Sequence, residues 1–139
     1  MKSTISKGFT IIELLIVVAI IAILTGIVLY NVTAWINQSK DASIQANLNS
    51  IQTNSAKFLD ANQTYDGFCS DSSYITAHDA IANISATTQT CNTTVSAFCA
   101  CSTLKVTAGN VFCVDSTGIK KTVSSTDCAT ECDASAACQ

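Results

Sequence analysis

Residues 9–29 read FTIIELLIVVAIIAILTGIVL, and this stretch decides the fold because only Thr10, Glu13, Thr25 and Gly26 interrupt its apolar character. Twenty-one residues in a helix extend about 31 Å, close to the thickness of a bilayer's hydrocarbon core. Residues 1–8, MKSTISKG, precede the run and carry two lysines. A cationic segment before an apolar run is typical of a secretory signal or of a membrane anchor. No Ala-x-Ala-like cleavage site lies close after the run, so we expect the run to remain on the mature protein.

The composition of the whole chain argues against some classes of protein and indicates the compartment in which the chain works. The chain has 139 residues, a formal net charge of -3, no arginine, no proline, one histidine and eight cysteines. Charged residues make up only 12% of it, which argues against a cytosolic enzyme, and the net negative charge argues against a nucleic-acid binder. An even number of cysteines in a short chain indicates an oxidising compartment outside the cytoplasm.

Glu13 is a carboxylate inside the apolar run. An ionised carboxylate costs about 2.5–3.5 kcal/mol at mid-bilayer and less near the interface. One interpretation is a polar residue that is tolerated near the interface. The functional interpretation requires a cation that meets Glu13 within the apolar layer, and position alone leaves both open.

Residues 7–24, KGFTIIELLIVVAIIAIL, resemble the class III signal of type IV pilins and pseudopilins. The resemblance implies that a membrane peptidase cuts after Gly8 and that the new N-terminal residue, Phe9, is N-methylated. It also implies that Glu13 acts in assembly, by pairing with the Phe9 α-amino group of the preceding subunit, which is mostly protonated at neutral pH. This chain departs from the family because it lacks the proline common in pilin helices. Its weakest helical stretch is Thr25-Gly26.

The resemblance also implies a function, partners and a location. The expected function is that of a structural subunit of a type IV pilus, a homo-oligomeric helical filament on the cell surface. Before assembly, the chain would cross the inner membrane once and meet the prepilin peptidase, and then an inner-membrane assembly platform with its motor ATPase. Two alternatives stay open: a pseudopilin of type II secretion or DNA uptake, and a membrane-anchored surface domain that never polymerises.

We expect no enzymatic activity, cofactor, metal or nucleic-acid partner. His78 is the only imidazole in the chain, and no nucleophile elbow or phosphate-binding loop is present in the sequence.

The helix that the apolar run predicts continues without a break signal to about residue 60. Its second half has one apolar face at spacings of three, four or eight, formed by Ile36, Ile44, Leu48, Ile51, Ser55, Phe58 and Leu59. Polar residues fall mostly away from that face, namely Lys40, Asp41, Gln45, Asn49 and Gln52. We therefore predict four segments: a cleaved leader at 1–8, an apolar transmembrane or assembly helix at 9–30, its amphipathic half at 31–60, and a cysteine-rich head at 61–139.

The head is predicted to be a small antiparallel sheet, which gives an α+β fold with the long helix packed on a β-meander. Of the 79 residues from Ala61 onward, 23 are Ser or Thr and 15 are Ile, Leu, Val, Phe or Tyr, so the core is modest. Strands are expected at 95–101, 111–114 and 119–123, with turns between them. Residues 65–92 are predicted to form an irregular loop with a short helix near 78–84, and residues 125–139 a stapled loop.

The eight cysteines allow 105 pairings, and the sequence does not choose among them. They are Cys69, Cys91, Cys99, Cys101, Cys113, Cys128, Cys132 and Cys138. Cys99 and Cys101 face the same side of a strand, so each should bond elsewhere. A metal centre usually shows C-x2-C spacings, which this chain lacks, and we therefore predict disulfides. A bridge from Cys113 to Cys128 or Cys138 would resemble the loop-closing bridge of many pilins.

Two further patterns have ordinary explanations. Asp127, Glu131 and Asp133 offer oxygens of the kind that bind calcium in a C-terminal loop of the major pseudopilins, although an acidic solvated loop is the commoner explanation. Five asparagines begin N-x-S/T triplets, namely Asn31, Asn37, Asn62, Asn83 and Asn92. In a chain so rich in Asn, Ser and Thr such triplets arise by chance, so the triplets alone are not a safe sign of N-glycosylation in a bacterium.

Overall fold

The computed structural model describes residues 8–84, 87–106 and 109–139. The fold class is α+β, as predicted, and the chain divides into two compact units, one ending at Ile36 and one running from Asn37 to Gln139. Helix α1, Ile11–Asn62, contributes to both units. It has 52 residues and begins and ends about two residues later than predicted. Its last turn closes through the Gln63 amide, which donates to the Leu59 carbonyl at 2.7 Å from a left-handed backbone with φ 58°.

In the first unit, α1 is apolar on all sides, and the large apolar side chains from Ile11 to Val28 are exposed. Among the described residues it is the helix that is long and apolar enough to cross a membrane, judged by length and composition. It continues through Thr25 and Gly26 without interruption, and the Thr25 hydroxyl donates to the Ile21 carbonyl at 2.7 Å. A helix that is apolar all round needs an apolar surrounding, either protein or lipid.

In the second unit, the buried face of α1 packs in a core with one face of a β-sheet. The predicted apolar face is confirmed for Ile44, Leu48, Ile51 and Ser55, which are buried, whereas Ile36 is exposed. The sheet and the connecting segment complete this first core with Tyr65, Phe68, Tyr74, Ala77, Ile81, Phe98, Ala100, Leu104, Phe112 and Val114.

Asp41 corrects the prediction for the polar side of α1, because it is buried rather than turned away. Its Oδ1 accepts a hydrogen bond from the Lys105 amide at 2.5 Å, and its Oδ2 accepts one from the Val106 amide at 2.9 Å. Both donors lie in the connection after the second strand. A buried carboxylate is stable only with such donors, so Asp41 ties that connection to the helix.

The sheet has four antiparallel strands in the order β1-β2-β3-β4, rather than the three predicted. They are β1 Gln89–Thr93, β2 Phe98–Thr103, β3 Val111–Asp115 and β4 Lys120–Val123. Strand β1 lies in the segment predicted to be a loop. Strand β2 begins three residues later than predicted because the chain turns there, with the Thr94 amide donating to the Ala97 carbonyl at 2.8 Å. The predicted short helix is longer, and α2 spans Ser72–Ile84 after a single 3-10 turn at Phe68–Ser70.

The two central strands are covered on both faces. Cys101 lies directly opposite Cys113 in the β2–β3 ladder, and every residue of β3 is buried. The face that does not meet α1 packs on the C-terminal segment, which contains the short helix α3, Cys128–Glu131. This second core consists of Cys99, Cys101, Val111, Cys113, Cys128, Cys132, Ala136 and Cys138.

All eight cysteines form disulfides, as predicted. The pairs are Cys69–Cys91, Cys99–Cys132, Cys101–Cys128 and Cys113–Cys138. Cys99 and Cys101 lie in the same buried cluster and bond different partners, as their spacing predicts. Of the two bridges implied for Cys113, the one to Cys138 is present and the one to Cys128 is wrong. Three of the four pairs join the sheet to residues 128–138.

Candidate functional site

The candidate site lies at the start of α1. Residues 8–10 have no regular secondary structure, and the helix begins at Ile11. Oε2 of Glu13 accepts hydrogen bonds from the Thr10 amide at 2.9 Å and from the Thr10 hydroxyl at 2.8 Å. The Glu13 amide in turn donates to the Thr10 hydroxyl oxygen at 3.3 Å. This reciprocal pattern is a capping box, with Thr10 as N-cap and Glu13 three residues later.

The capping box gives the Glu13 carboxylate a defined place in the single chain. The first turn of a helix leaves backbone N–H groups without partners, and its dipole favours negative charge. An N-cap side chain typically stabilises a helix by about 1 kcal/mol. Both contacts use Oε2, and within residues 8–84, 87–106 and 109–139 no hydrogen bond to Oε1 is found. One oxygen of the carboxylate is thus committed to the helix, and the other is open to a donor from outside.

Sequence reasoning missed Thr10, which it treated as an interruption of the apolar run. The signal was present, because Thr10-Ile11-Ile12-Glu13 matches the capping-box pattern of Ser or Thr followed three residues later by an acid. Glu13 was interpreted only as the partner of an outside cation, so its local role in the helix cap was not predicted.

The Gly8–Phe9 peptide bond lies just outside the helix. Gly8 and Phe9 are both exposed, Phe9 at 77%, and a Cβ built on Gly8 would meet nothing within 4 Å. Backbone that is accessible and free of helical hydrogen bonds is the kind of segment that proteases cut. The predicted cleavage point, Gly8 and Phe9, and the predicted assembly residue, Glu13, therefore lie within six consecutive residues, and Phe9 and Glu13 stand on either side of the helix start.

The surface around Glu13 is apolar. The large side chains of the next helical turns are exposed, including Ile11 at 82% and Leu15 at 64%. An exposed apolar surface of this extent marks contact with a membrane or with another protein. The carboxylate is therefore the charged group at the end of a surface that is otherwise built for apolar contact.

Comparison with known proteins agrees with this arrangement. A family model described as the prokaryotic N-terminal methylation motif matches residues 4–29. This motif supports a protein of the type IV pilin or pseudopilin type, and it covers the N-terminal segment of the chain alone. No curated protein and no solved structure matches it.

The motif has direct consequences for the N-terminal segment. It implies processing by a prepilin peptidase, and together with the single apolar helix it fits anchoring in a membrane. In a pilin-type protein, Gly8, Phe9 and Glu13 fall at the positions of the cleavage site, of N-methylation and of assembly. These three roles stay predictions for the residues of this chain.

The other candidate residues lie in the second unit. Within the described part, one group of three metal-type ligands has its ligand atoms within 4.8 Å of one another, namely Cys99, Cys113 and Cys138, and all three are in disulfides. The acids proposed for calcium do not form such a group. Asp127 instead caps α3 through the Ala129 amide at 2.9 Å.

Two of the remaining polar candidates also take part in local contacts. Asp133 accepts hydrogen bonds from the hydroxyl and the amide of Ser135, and these bonds hold the pKa of its carboxyl below the ordinary value. His78 is half-buried on α2, with Nδ1 3.1 Å from the Asp79 carboxylate. The Asp133 contacts lie in a turn, and the His78–Asp79 contact joins neighbouring residues within α2.

Proposed function

We propose that this chain is the structural subunit of a type IV pilus and that it polymerises through the apolar half of α1. The observation that carries the proposal is the Glu13 carboxylate, held at the start of an exposed apolar helix with Oε1 open to an outside donor. After processing, the inner-membrane subunit would pass to an assembly platform with its motor ATPase and become part of a filament on the cell surface.

Charge supports a direct role for Glu13 in subunit contact. Cleavage after Gly8 creates an α-amino group at Phe9, which is mostly protonated at neutral pH. If the Phe9 amine of one subunit meets Oε1 of Glu13 in the next, both charges are neutralised inside an apolar layer. Removing one member of a buried pair typically costs about 3–5 kcal/mol, because the other charge is left without a partner. The pair would set the register between helices whose Leu and Ile side chains slide past one another with little penalty.

The capping box gives the two oxygens of the Glu13 carboxylate different roles. Oε2 stays with Thr10 and fixes the direction of the side chain, while Oε1 receives the neighbouring amine. A carboxylate that is already oriented loses less side-chain entropy when it pairs than a free one does. Thr10 is therefore proposed as a positioning residue for assembly.

The second unit supports a structural role on the cell surface. Four disulfides hold residues 69–138, and the head is rich in Ser and Thr, as suits a domain that faces water outside the cell. We propose no enzymatic activity and no cofactor for the chain.

The test is filament growth in cells that express Glu13→Ala, Glu13→Gln or the natural chain. We expect membrane insertion to stay intact in both variants, because removing a charge does not oppose insertion. Both variants should form no filaments, since neither carries the charge that the Phe9 amine requires. Normal filaments from Glu13→Gln would contradict the charge pairing.

The matched pair for Thr10 is Thr10→Ser and Thr10→Val. Thr10→Ser keeps the hydroxyl and should assemble normally. Thr10→Val keeps the shape but removes the hydroxyl donor and acceptor of the capping box. We expect fewer filaments, but more than from Glu13→Ala. Equal filament yields from Thr10→Ser and Thr10→Val would show that the cap is not needed.

A further inference from the structure

The five N-x-S/T triplets of the sequence occupy very different places in the structure. A transferase that modifies asparagine must reach the carboxamide nitrogen, so burial and hydrogen bonding separate usable acceptors from unusable ones. Asn31 and Asn37 lie inside α1, Asn62 ends it, Asn83 lies in the last turn of α2, and Asn92 lies in β1.

Asn92 is excluded by its own contacts. It is half-buried, and its Nδ2 donates to the Cys132 carbonyl at 2.6 Å and to the Asp133 carbonyl at 3.1 Å. A sugar on that nitrogen would separate β1 from the C-terminal segment. Asn37 is also half-buried and lies deep within a regular helix, where the peptide cannot bend into an enzyme site without unfolding several turns.

Asn62 differs from these positions because it lies where α1 ends. Four consecutive residues, 60–63, are exposed, and Gln63 has a left-handed φ of 58° that turns the chain away from the helix. The Asn62 Nδ2 donates to the Phe58 carbonyl at 2.9 Å on the exposed end of the helix. Water replaces that bond readily when a helix end frays, so the carboxamide becomes accessible while the packed core stays intact.

Asn62 also has a charged neighbour that the other four triplets lack. Asp60 lies two residues before Asn62 and is exposed. In the other four triplets the residue two positions before the asparagine is uncharged, namely Leu29, Trp35, Ile81 and Thr90. The segment Asp60-Ala61-Asn62-Gln63-Thr64 therefore offers an enzyme a carboxylate, an acceptor amide and a hydroxyl in one short stretch. A charged contact adds selectivity that the bare triplet does not have.

We propose that Asn62 is an acceptor for N-linked glycosylation, with Asp60 as a second recognition element. The donor class is an oligosaccharide linked to a polyprenyl diphosphate. The Asn62 Nδ2 forms a bond to C1 of the first sugar, the bond between C1 and the diphosphate oxygen breaks, and the lipid diphosphate leaves with the electron pair. The amide proton passes to a base of the transferase. The reaction requires that the head lies on the outer side of the membrane, and it does not require polymerisation.

A glycan at this place would cover an apolar spot on the head. Val95 is 69% exposed at the turn between β1 and β2, and its carbonyl accepts hydrogen bonds from the Thr64 hydroxyl at 3.2 Å and from the Tyr65 amide at 3.1 Å. The triplet and this exposed valine are therefore adjacent on the surface. A hydrated sugar on Asn62 would shield Val95 from contact with other proteins.

The test is mass spectrometry of the full chain purified from cells that naturally produce it. The peptide that contains Asn62 should carry the added mass of sugar residues, and fragmentation that preserves the sugar linkage should locate it on Asn62. Asn62→Gln should lose the modification completely, while Thr64→Ser should retain it because serine keeps the hydroxyl. Asn83→Gln, at an exposed asparagine whose triplet lacks the acid, should leave the modified fraction unchanged.

Asp60→Asn tests the second recognition element. We expect the modified fraction to fall by about tenfold, as for the loss of one charged contact. An unchanged fraction would contradict the role of Asp60. An unmodified Asn62 in the natural protein, or sugar located on Ser or Thr of the same peptide, would overturn the proposal. Glu13→Ala should carry the modification normally, so this proposal and the proposed function fail independently.

Discussion

Asp41 and Asp115 are carboxylates that the second unit buries, with 8% and 1% of their surface exposed. Oδ1 of Asp115 accepts hydrogen bonds from the Thr117 amide, the Thr117 hydroxyl and the Ile119 amide, and its Oδ2 accepts one from the Cys138 amide. Asp115 thus ties the β3–β4 turn to the C-terminal segment, as Asp41 ties the connection after β2 to α1. Both residues fix segments that have few apolar side chains of their own.

Removing the Asp41 carboxylate should destabilise the head. In Asp41→Ala, the Lys105 and Val106 amides lose their acceptor in a partly buried place, and a hydrogen bond to a charged group is worth about 1.5–3 kcal/mol. We expect a loss of that size in the free energy of unfolding, measured by denaturant titration of the full chain in detergent and followed by near-UV circular dichroism.

The control for Asp41 is Asp66→Ala, because Asp66 is exposed. Exposed substitutions usually change stability by less than about 0.5 kcal/mol. A denaturation midpoint of Asp41→Ala equal to that of Asp66→Ala would contradict the role given to Asp41.

The burial of Tyr74 gives the head a dependence on alkaline pH. Tyr74 lies in the first core beside Phe68, and burial raises the pKa of its phenol from 10.0 to about 12. The unfolded chain therefore releases this proton at a lower pH than the folded chain does. Stability is present in full below the unfolded pKa and declines as the pH rises from about 10 towards about 12.

Tyr74→Phe removes the titrating group while it keeps the ring. We expect its denaturation midpoint to fall less steeply than that of the natural chain across this pH window. If the denaturation midpoints of the two proteins fell equally steeply with pH, the pKa of Tyr74 would not be raised in the folded chain.

At the scale of secondary structure, the long helix and three of the four strands follow from the sequence, whereas β1 does not. The apolar run, the spaced apolar face and the turn around Gly118, which has φ 93°, carry strong local signals. Strand β1 reads Gln89-Thr-Cys-Asn-Thr93, which has no alternation of apolar and polar residues. It is a strand because it pairs with β2 and because Cys91 bonds Cys69, and both contacts are long-range.

The disulfides also show how far sequence reasoning extends. The parity of the cysteine count predicts bridges, and the spacing of Cys99 and Cys101 predicts separate partners, but the pairs depend on how residues 128–138 return beneath the sheet. The same limit applies to Asp41, whose donor at Lys105 is 64 residues away. Local sequence patterns carry no information on which distant segments of the chain come into contact.

Two disulfides with similar loop lengths should differ in their effect on stability. The Cys69–Cys91 bridge spans 22 residues and Cys101–Cys128 spans 27, so loop entropy alone predicts a difference of about 0.2 kcal/mol. The sulfurs of Cys101 and Cys128 lie in the second core, whereas Cys69 and Cys91 are half-buried. Replacing a buried pair with alanine leaves a cavity as well as a longer free loop.

We therefore expect Cys101→Ala with Cys128→Ala to cost about 1 kcal/mol more than Cys69→Ala with Cys91→Ala, each double variant losing about 2–4 kcal/mol from its bridge. Thermal and denaturant unfolding of the two double variants measure the difference. Equal losses would mean that the second core relaxes to fill the space.

At the scale of the whole molecule, processing of the N-terminus is the most direct prediction. Mass spectrometry of the chain from its membrane should show the loss of residues 1–8 and one added methyl group on Phe9. Gly8→Val places a branched side chain at the cut and should leave the leader attached. Gly26→Ala lies beyond the cut and should be processed normally. A mature protein that still carries Lys2 and Lys7 would favour the non-polymerising surface domain.

The form of the assembly separates the pilus from the pseudopilin alternative. Long, abundant surface fibres agree with the proposed pilus subunit, whereas short periplasmic assemblies that depend on a secretion channel indicate a pseudopilin. The sequence motif of about 18 residues predicts leader cleavage and N-methylation, the first steps before either kind of assembly. The choice between the two depends on the head, whose surface carries no comparably local signal.

The sulfur atoms beneath the sheet lead to an expectation about when the head folds. In the second core, six of the eight buried residues are half-cystines, so that face of the sheet has little else to pack against. The bacterial cytosol keeps such sulfurs reduced. We expect the newly made polypeptide to stay unfolded beyond α1 until it has crossed the bilayer. The head would then fold after export, in a compartment where its disulfides can form.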